Sequence, residues 1–310
     1  MKKRVWLLIA LGALLVVLAV PVLVFLSRSP VLVVTDVPFA VLYGENRIRM
    51  RQVSASVSLF RMVRPVMIAD DASPDIVIAA IKYASENPFA VLFPRRFSAV
   101  AERFHAEYPE IPVVVFRGTV PASELPAGNG VFNVYGTDRG TDLFRAGLFA
   151  GIIGSMRQED EDSALGTVYG QRIHVLWQGG PVDSDERSVF SLAAMERDPG
   201  SAVVFVNAAA DLPDTRLVSS LVLAGAGADY LERNPGIPVI LFSWLNPDFT
   251  SREVVVMFDD SPWAMVVPAT RMAVEGVACG VIPSIPLVFS DRLADNATSR
   301  MLRRAAGRNL

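Results

Sequence analysis

From Val31 onward, short continuous apolar runs alternate with longer amphipathic stretches. The runs include Val31-Leu-Val-Val34, Val113-Val-Val-Phe116, Val203-Val-Phe-Val206, Val239-Ile-Leu-Phe242 and Val254-Val-Val-Met257. They are apolar at successive positions rather than alternate ones, the pattern of strands covered on both faces of a parallel sheet. The spacing predicts strands over Val31–Thr35, Pro65–Ala69, Phe89–Phe93, Pro112–Phe116 and Val131–Tyr135. Helices are expected between them over Phe39–Arg49 or beyond, Pro74–Ser85 and Arg95–Glu107. Ser73 stands as a natural N-cap for the second of these, with Pro74 at its first helical position. Further along, the pattern predicts strands over Ile173–Trp177, Ala202–Asn207, Leu221–Ala224, Ile237–Trp244, Glu253–Phe258 and Ile285–Phe289. The accompanying helices are Thr141–Met156, Asp185–Arg197, Ala226–Arg233 and Pro262–Glu275. Strands alternating with helices in this way build βαβ units. The acidic run Glu159–Asp162 reads as a solvated turn, because four adjacent carboxylates cannot all face one cation.

The pattern also repeats. Tyr108-Pro-Glu-Ile-Pro-Val-Val-Val-Phe116 recurs as Asn234-Pro-Gly-Ile-Pro-Val-Ile-Leu-Phe242, sharing P-x-I-P-V at the entry to a buried strand. Two lobes of similar construction follow. Their expected ranges are 30–137 plus 248–282 for lobe 1, and 138–247 plus 283–310 for lobe 2 with the C-terminal tail. Crossings near Gly136–Asp138, Ser243–Asn246 and Ala278–Pro283 would act as hinges.

The N-terminus breaks this pattern. Met1-Lys-Lys-Arg4 precedes 22 uncharged residues, Val5–Leu26, in the form of a signal sequence or signal anchor. As a helix this stretch would reach about 33 Å, enough to cross a bilayer core. The exit, Phe25-Leu-Ser-Arg-Ser-Pro30, has neither an A-x-A cleavage pattern nor a lipidation cysteine. An uncleaved anchor is therefore expected within residues 1–29, with the basic tip cytoplasmic. The remainder would lie on the periplasmic or extracellular side of the cytoplasmic membrane. Setting the first 26 residues aside leaves roughly 280, a comfortable length for two lobes of about 130 each.

Composition narrows the chemistry. Hydrophobic residues make up 52% of the 310; part of the excess is the N-terminal segment, and because no run after Leu26 is long enough to span a bilayer, the rest belongs to a well-filled core. With 29 basic and 32 acidic residues the formal charge is −3, which argues against a nucleic-acid surface. The tail arginines, Arg292, Arg300, Arg303, Arg304 and Arg308, suit a solvated terminal helix or a patch for anionic lipid or a partner. One cysteine, Cys279, and two separated histidines, His105 and His174, supply neither a disulfide framework, nor a zinc site, nor a Cys–His pair. A nucleophile elbow and a phosphate-binding P-loop are absent from the sequence, and no cofactor is expected. A hydrolase using paired carboxylates at strand ends stays open as one alternative.

In open α/β sheets, ligands bind beyond the carboxyl ends of the strands. The residues falling there are Asp36 with Phe39, Asp70, Phe93, Arg117, Asp138, Trp177, Asn207, Trp244 and Asp259. This mixture of aromatic faces and hydrogen-bonding groups suits a small polar ligand with a stackable or sugar-like face. At Val33-Val-Thr-Asp36, Phe144-Arg-Ala-Gly-Leu-Phe-Ala-Gly151, Asp198–Asp214 and Phe258-Asp-Asp-Ser-Pro-Trp-Ala-Met265, the chain resembles the type I periplasmic binding proteins. Within them it is most similar to the basic membrane protein family of nucleoside-binding receptors. Val37-Pro-Phe-Ala-Val-Leu-Tyr43 replaces that family's D-K-S-F-N run, so Asp36 and Phe39 are the first-lobe positions that carry over. The resemblance implies a non-enzymatic binding protein of two Rossmann-like lobes that closes over a nucleoside or sugar-like ligand. Its partner would be an ABC-type permease or another membrane protein. An anchored structural or interaction module that has kept the fold without a ligand is the other alternative.

Overall fold

The computed structural model describes residues 19–69, 71–120, 132–165, 172–177, 182–208, 218–224, 237–242, 254–259, 261–275, 280–282, 285–289 and 297–307. Strand β1 (Val31–Asp36) is buried along its whole length, as a continuous apolar run requires when helices cover both faces. It leads directly into α1 (Val37–Tyr43) and α2 (Glu45–Leu59), and then β2 (Val63–Ile68). The single helix expected from Phe39 is in fact two, because Gly44 sits between them at φ +89°, a backbone conformation that ends a helix and favours glycine. Next come α3 (Pro74–Ala84), β3 (Ala90–Pro94), a 3₁₀ turn (Arg95–Phe97), α4 (Ser98–Glu107), β4 (Val113–Val120) and β5 (Phe132–Asp138). Ser73 does occupy the N-cap of α3 with Pro74 behind it, but its hydroxyl makes no capping bond.

Helix α5 (Arg139–Leu165) is longer than the apolar pattern indicated and runs through the acidic stretch 159–162, which is helical rather than a turn. It is followed by β6 (Arg172–Trp177), α6 (Ser184–Met195), β7 (Ala202–Val206), β8 (Val218–Ala224), β9 (Val239–Phe242) and β10 (Val254–Phe258). The chain closes with α7 (Pro262–Val274), β11 (Gly280–Ile282), β12 (Leu287–Phe289) and α8 (Ala297–Ala305). The helix expected over Ala226–Arg233 lies outside the described residues.

One six-stranded sheet has the order β11-β5-β4-β3-β1-β2, and the other β12-β10-β9-β8-β6-β7. The registered pairs are parallel except β10–β12, which run antiparallel. The contacts divide the chain into two compact units. One comprises Met1–Phe116, Gly128–Asn133 and Met265–Ala278, and the other Arg117–Ala127, Val134–Ala264 and Cys279–Leu310. Strand β10 falls within 248–282, the range expected for lobe 1, yet it pairs with β9 in the second sheet. There Leu176, Leu221, Leu223, Val239, Leu241 and Met257 form a contiguous core.

Among the described residues no helix is long and apolar enough to cross a membrane. Of the expected span Val5–Leu26, residues 5–18 lie outside the description. Residues 19–27 are helical, with Val20, Val22, Leu23 and Leu26 exposed.

Candidate functional site

Parallel register gathers the carboxyl ends of neighbouring strands at one edge of each sheet. In the first unit Asp36 stands opposite Ile68 of β2, and Val33 opposite Leu92 of β3. Asp36 is 6% exposed, and both of its oxygens are engaged. Oδ1 accepts from the Phe39 backbone N–H at 2.6 Å, capping α1, and Oδ2 lies 3.2 Å from Nε of Arg96. An apolar strand that ends in Asp just before Val-Pro is a helix start by composition. Phe39 is half-buried and stacks on Tyr43 with ring centroids 5.1 Å apart. Arg96 lies on the turn after β3, its guanidinium 4.6 Å from the Phe97 ring centre. It joins Asp36 across 60 residues of sequence, and nothing in the sequence singled it out over Arg95. A partly exposed guanidinium held by a buried carboxylate, beside an aromatic face, is a polar recognition element.

Phe93 lies elsewhere. It is fully buried against Phe104 at 6.1 Å, in the core of the first unit. Arg117 is half-buried on β4, one residue beyond Phe116, which pairs with Pro94. Asp70 lies outside the described residues.

In the second unit Trp177, Ala224, Phe242 and Phe258 are in register across β6, β8, β9 and β10. Leu176 pairs with Val206, so exposed Asn207 follows at the same edge. Trp177 meets Phe242 edge-on at 5.0 Å, and Phe242 stacks on Phe258 at 4.1 Å and 7°. The Trp177 ring is 3% exposed, and its Nε1–H has no hydrogen-bond acceptor among the described residues. A buried indole normally finds an acceptor, so this donor stands ready for one. Asp259 follows Phe258 and is fully buried, accepting from the Ser261 backbone N–H at 3.2 Å to open α7. Asp138 serves α5 in a similar way, accepting from the Gly140 N–H at 3.1 Å and from the Thr141 hydroxyl at 2.8 Å. Trp244 lies outside the described residues. Among the described residues no three His, Cys, Asp or Glu side chains group as a metal site would require.

A second polar cluster lies deeper in this unit. Asp142 is fully buried, accepts from the Ile285 N–H at 3.0 Å and sits 3.7 Å from Arg145. Arg145 in turn donates to the Ile285 carbonyl at 3.0 Å and the Ala306 carbonyl at 3.1 Å, tying α5 to the chain's last segments. Burial pushes the Asp142 carboxyl from its ordinary 3.8 up to about 7, against the Ile285 N–H, the Thr137 hydroxyl and Arg145, which pull it down. The folded chain therefore holds this proton more tightly than the unfolded chain. Asp142 contributes stability that is complete below about pH 4 and lost as the pH rises through about 7. Replacing Asp142 by Asn is expected to remove that loss. The unfolding free energy of the variant minus that of the parent should then rise between pH 4 and 7, by at most about 1.4 kcal/mol per pH unit. Urea titrations at several pH values measure it, and parallel pH profiles for the two proteins would refute it.

No family model matches the chain, and no curated protein matches it either. Solved structures do resemble it. A transcriptional activator of the comK gene from Bacillus halodurans is 14% identical, with 90% of this chain and 96% of that one covered and a TM-score of 0.51. An ABC transporter system solute-binding protein from Conexibacter woesei is 13% identical, with 90% and 95% covered and a TM-score of 0.51. This protein has the type I periplasmic binding protein fold, α/β with parallel sheets.

Proposed function

We propose that this chain is an extracytoplasmic solute-binding protein for a small polar ligand with a stackable face, working in ABC-type uptake or in sensing. The observation that carries the reading is the pairing of aromatic and hydrogen-bonding groups at the carboxyl edges of the sheets. Arg96, held by Asp36 and lying over the Phe97 ring, offers donors in one unit, and the Nε1–H of Trp177, which has no acceptor among the described residues, offers another in the second. Planar donors next to ring faces suit hydroxyl-rich or heteroaromatic ligands, which include sugars and the nucleosides of the basic membrane protein family. The solute-binding protein from Conexibacter woesei adds support through its fold. The role is binding without turnover. An N-terminal tether formed by Val5–Leu26 would hold the protein at the cytoplasmic membrane beside a permease or another membrane partner.

A melting-temperature screen against sugars, nucleosides and amino acids tests this. A ligand present at about 100 times its Kd should add about 2.7 kcal/mol of stability and raise the transition by several degrees. Arg96→Gln and Asn207→Ala should each shrink that rise. One observation favours a different reading. Both Asp36 oxygens are already committed within the chain, as they would be in an interaction module that keeps the fold without a ligand. A flat screen against all three classes would favour the module and overturn the solute-binding reading.

A further inference from the structure

The amino edge of the first sheet, opposite the edge carrying Asp36 and Arg96, collects positive charge. Val31, Val63 and Ala90 begin β1, β2 and β3 in mutual register, so the residues just before them meet there. These include Arg28, Arg61 and Phe89, and Arg271 reaches the same place from α7. Arg28 donates to the Phe60 carbonyl at 3.4 Å, Arg61 to the Ser29 carbonyl at 3.2 Å, and Arg271 to the Ser58 carbonyl at 3.4 Å. The Arg61 guanidinium also covers the Phe89 ring, 3.5 Å from its centre. Capping stray carbonyls is the plain structural role for such arginines. Each of these bonds, however, uses one of a guanidinium's five N–H donors. Among the described residues none of the three pairs with a carboxylate, although Glu275 stands exposed nearby.

A groove of about 300 Å³ opens beside Arg61 and Arg271, walled by these two with Phe89, Thr270 and Glu275. Thr270 is 1% exposed, and its hydroxyl has no partner among the described residues. A buried unsatisfied hydroxyl beside two guanidiniums is the donor set an anionic oxygen needs. The apolar helical residues 19–27 end at this same edge. Phe25 packs edge-on against Phe60 at 5.8 Å, and Arg28 follows with its guanidinium 4.9 Å from that ring's centre. Val20, Val22, Leu23 and Leu26 are exposed there.

We propose that this groove binds the phosphate of an anionic lipid headgroup, with Arg61, Arg271 and Thr270 as donors and Arg28 adding positive charge at the same edge, and so seats the first unit on the membrane surface. Exposed apolar residues running into a cationic groove favour a lipid over a free anion, because the two features meet only where a headgroup adjoins acyl chains. The proposal draws on the tether reading above for its geometry. Its charge chemistry stands independently of the tether.

The full-length chain is mixed with vesicles of phosphatidylcholine alone, or with 30% phosphatidylglycerol, and floated through a density gradient. Amide hydrogen exchange is then read at residues 58–63 and 270–275. If the tether inserts, the chain floats with both vesicles, and phosphatidylglycerol is expected to slow exchange at the groove in a salt-sensitive way. If the tether reading fails, flotation itself is expected to require phosphatidylglycerol. It should then fall about fivefold for Arg61→Gln and again for Arg61→Gln with Arg271→Gln. Equal exchange and equal flotation with both vesicles would overturn the lipid site whichever way the tether behaves. So would protection by inorganic phosphate equal to that by the anionic vesicles, which would make the ligand a free anion. Far-ultraviolet circular dichroism on each variant separates lost binding from lost folding.

Discussion

Replacing Arg139 by methionine is expected to destabilise the second unit by about 3–5 kcal/mol, the usual cost of removing one partner from a buried ion pair. Arg139 and Glu186 meet in a two-pronged bond, Nε to Oε1 and Nη2 to Oε2, both at 2.7 Å. Their side chains are only 6% and 12% exposed. Glu186 has a second duty as the reciprocal arm of the capping box on α6. There Asp183 accepts from the Glu186 N–H at 2.8 Å, and Glu186 accepts from the Asp183 N–H at 3.1 Å. Without Arg139 the Glu186 carboxylate stays buried with a backbone donor and loses its counter-charge. Changing both residues to methionine should cost less than the Arg139 change alone, since no charge is then stranded, although the Glu186 arm of the capping box on α6 is lost while the Asp183 cap remains. Urea unfolding of the parent, the two single variants and the double variant closes the cycle. A loss below 1 kcal/mol for the Arg139 variant would mean that the pair is effectively solvated.

That ion pair was not legible in the sequence, and the reason is general. Arg139 and Glu186 are 47 residues apart, and each by itself looks like an ordinary surface charge at a helix start. Arg96 is hidden in the same way, because only the fold tells which of Arg95 and Arg96 turns toward Asp36. What could be read was local. Val31-Leu-Val-Val34 and its counterparts read as strands covered on both faces, and β1, β6, β8 and β9 are buried along nearly all their length, whereas β7, at the edge of its sheet, is only half-buried despite its apolar run. Asp36 lay at a strand end and a helix start, and the structure gives it the capping role that such a position favours. Boundaries were harder. The acidic stretch 159–162 continues α5, its two glutamates being good helix formers and its two aspartates weaker ones. Strand β11 is three residues long and shows no periodicity, so only its pairing with Tyr135–Thr137 reveals it.

Gly147 and Gly151 carry the second large expectation. They lie four residues apart on α5, hence on one face of the helix, and that face meets the backbone of α6. A Cβ on Gly151 would stand 2.2 Å from the Ala194 carbonyl oxygen, and one on Gly147 would stand 2.3 Å from the Phe190 carbonyl oxygen. Helix propensity alone predicts that Gly→Ala stabilises a helix interior, by up to about 1 kcal/mol. Here the opposing atoms are main-chain oxygens, which cannot rotate away as a side chain can, so the helices must separate and overpacking outweighs propensity. Gly151→Ala is expected to cost about 1–3 kcal/mol net, lowering the transition by roughly 2–4 °C per kcal/mol, with Gly147→Ala similar. Gly154 supplies the internal comparison. Its added Cβ would meet the Asp198 carboxylate oxygen at 2.7 Å, a side-chain atom that can shift by rotation where a main-chain oxygen cannot, so Gly154→Ala should cost less. Calorimetry on the three alanine variants decides the matter. A Gly151→Ala protein as stable as its parent would show that α5 and α6 are not in backbone contact. The consequence reaches the candidate site, because α5 begins at the Asp138 cap and α6 follows the strand that ends in Trp177. Prising the two helices apart should therefore weaken any ligand that leans on the Trp177 edge, even though neither glycine lies at that edge.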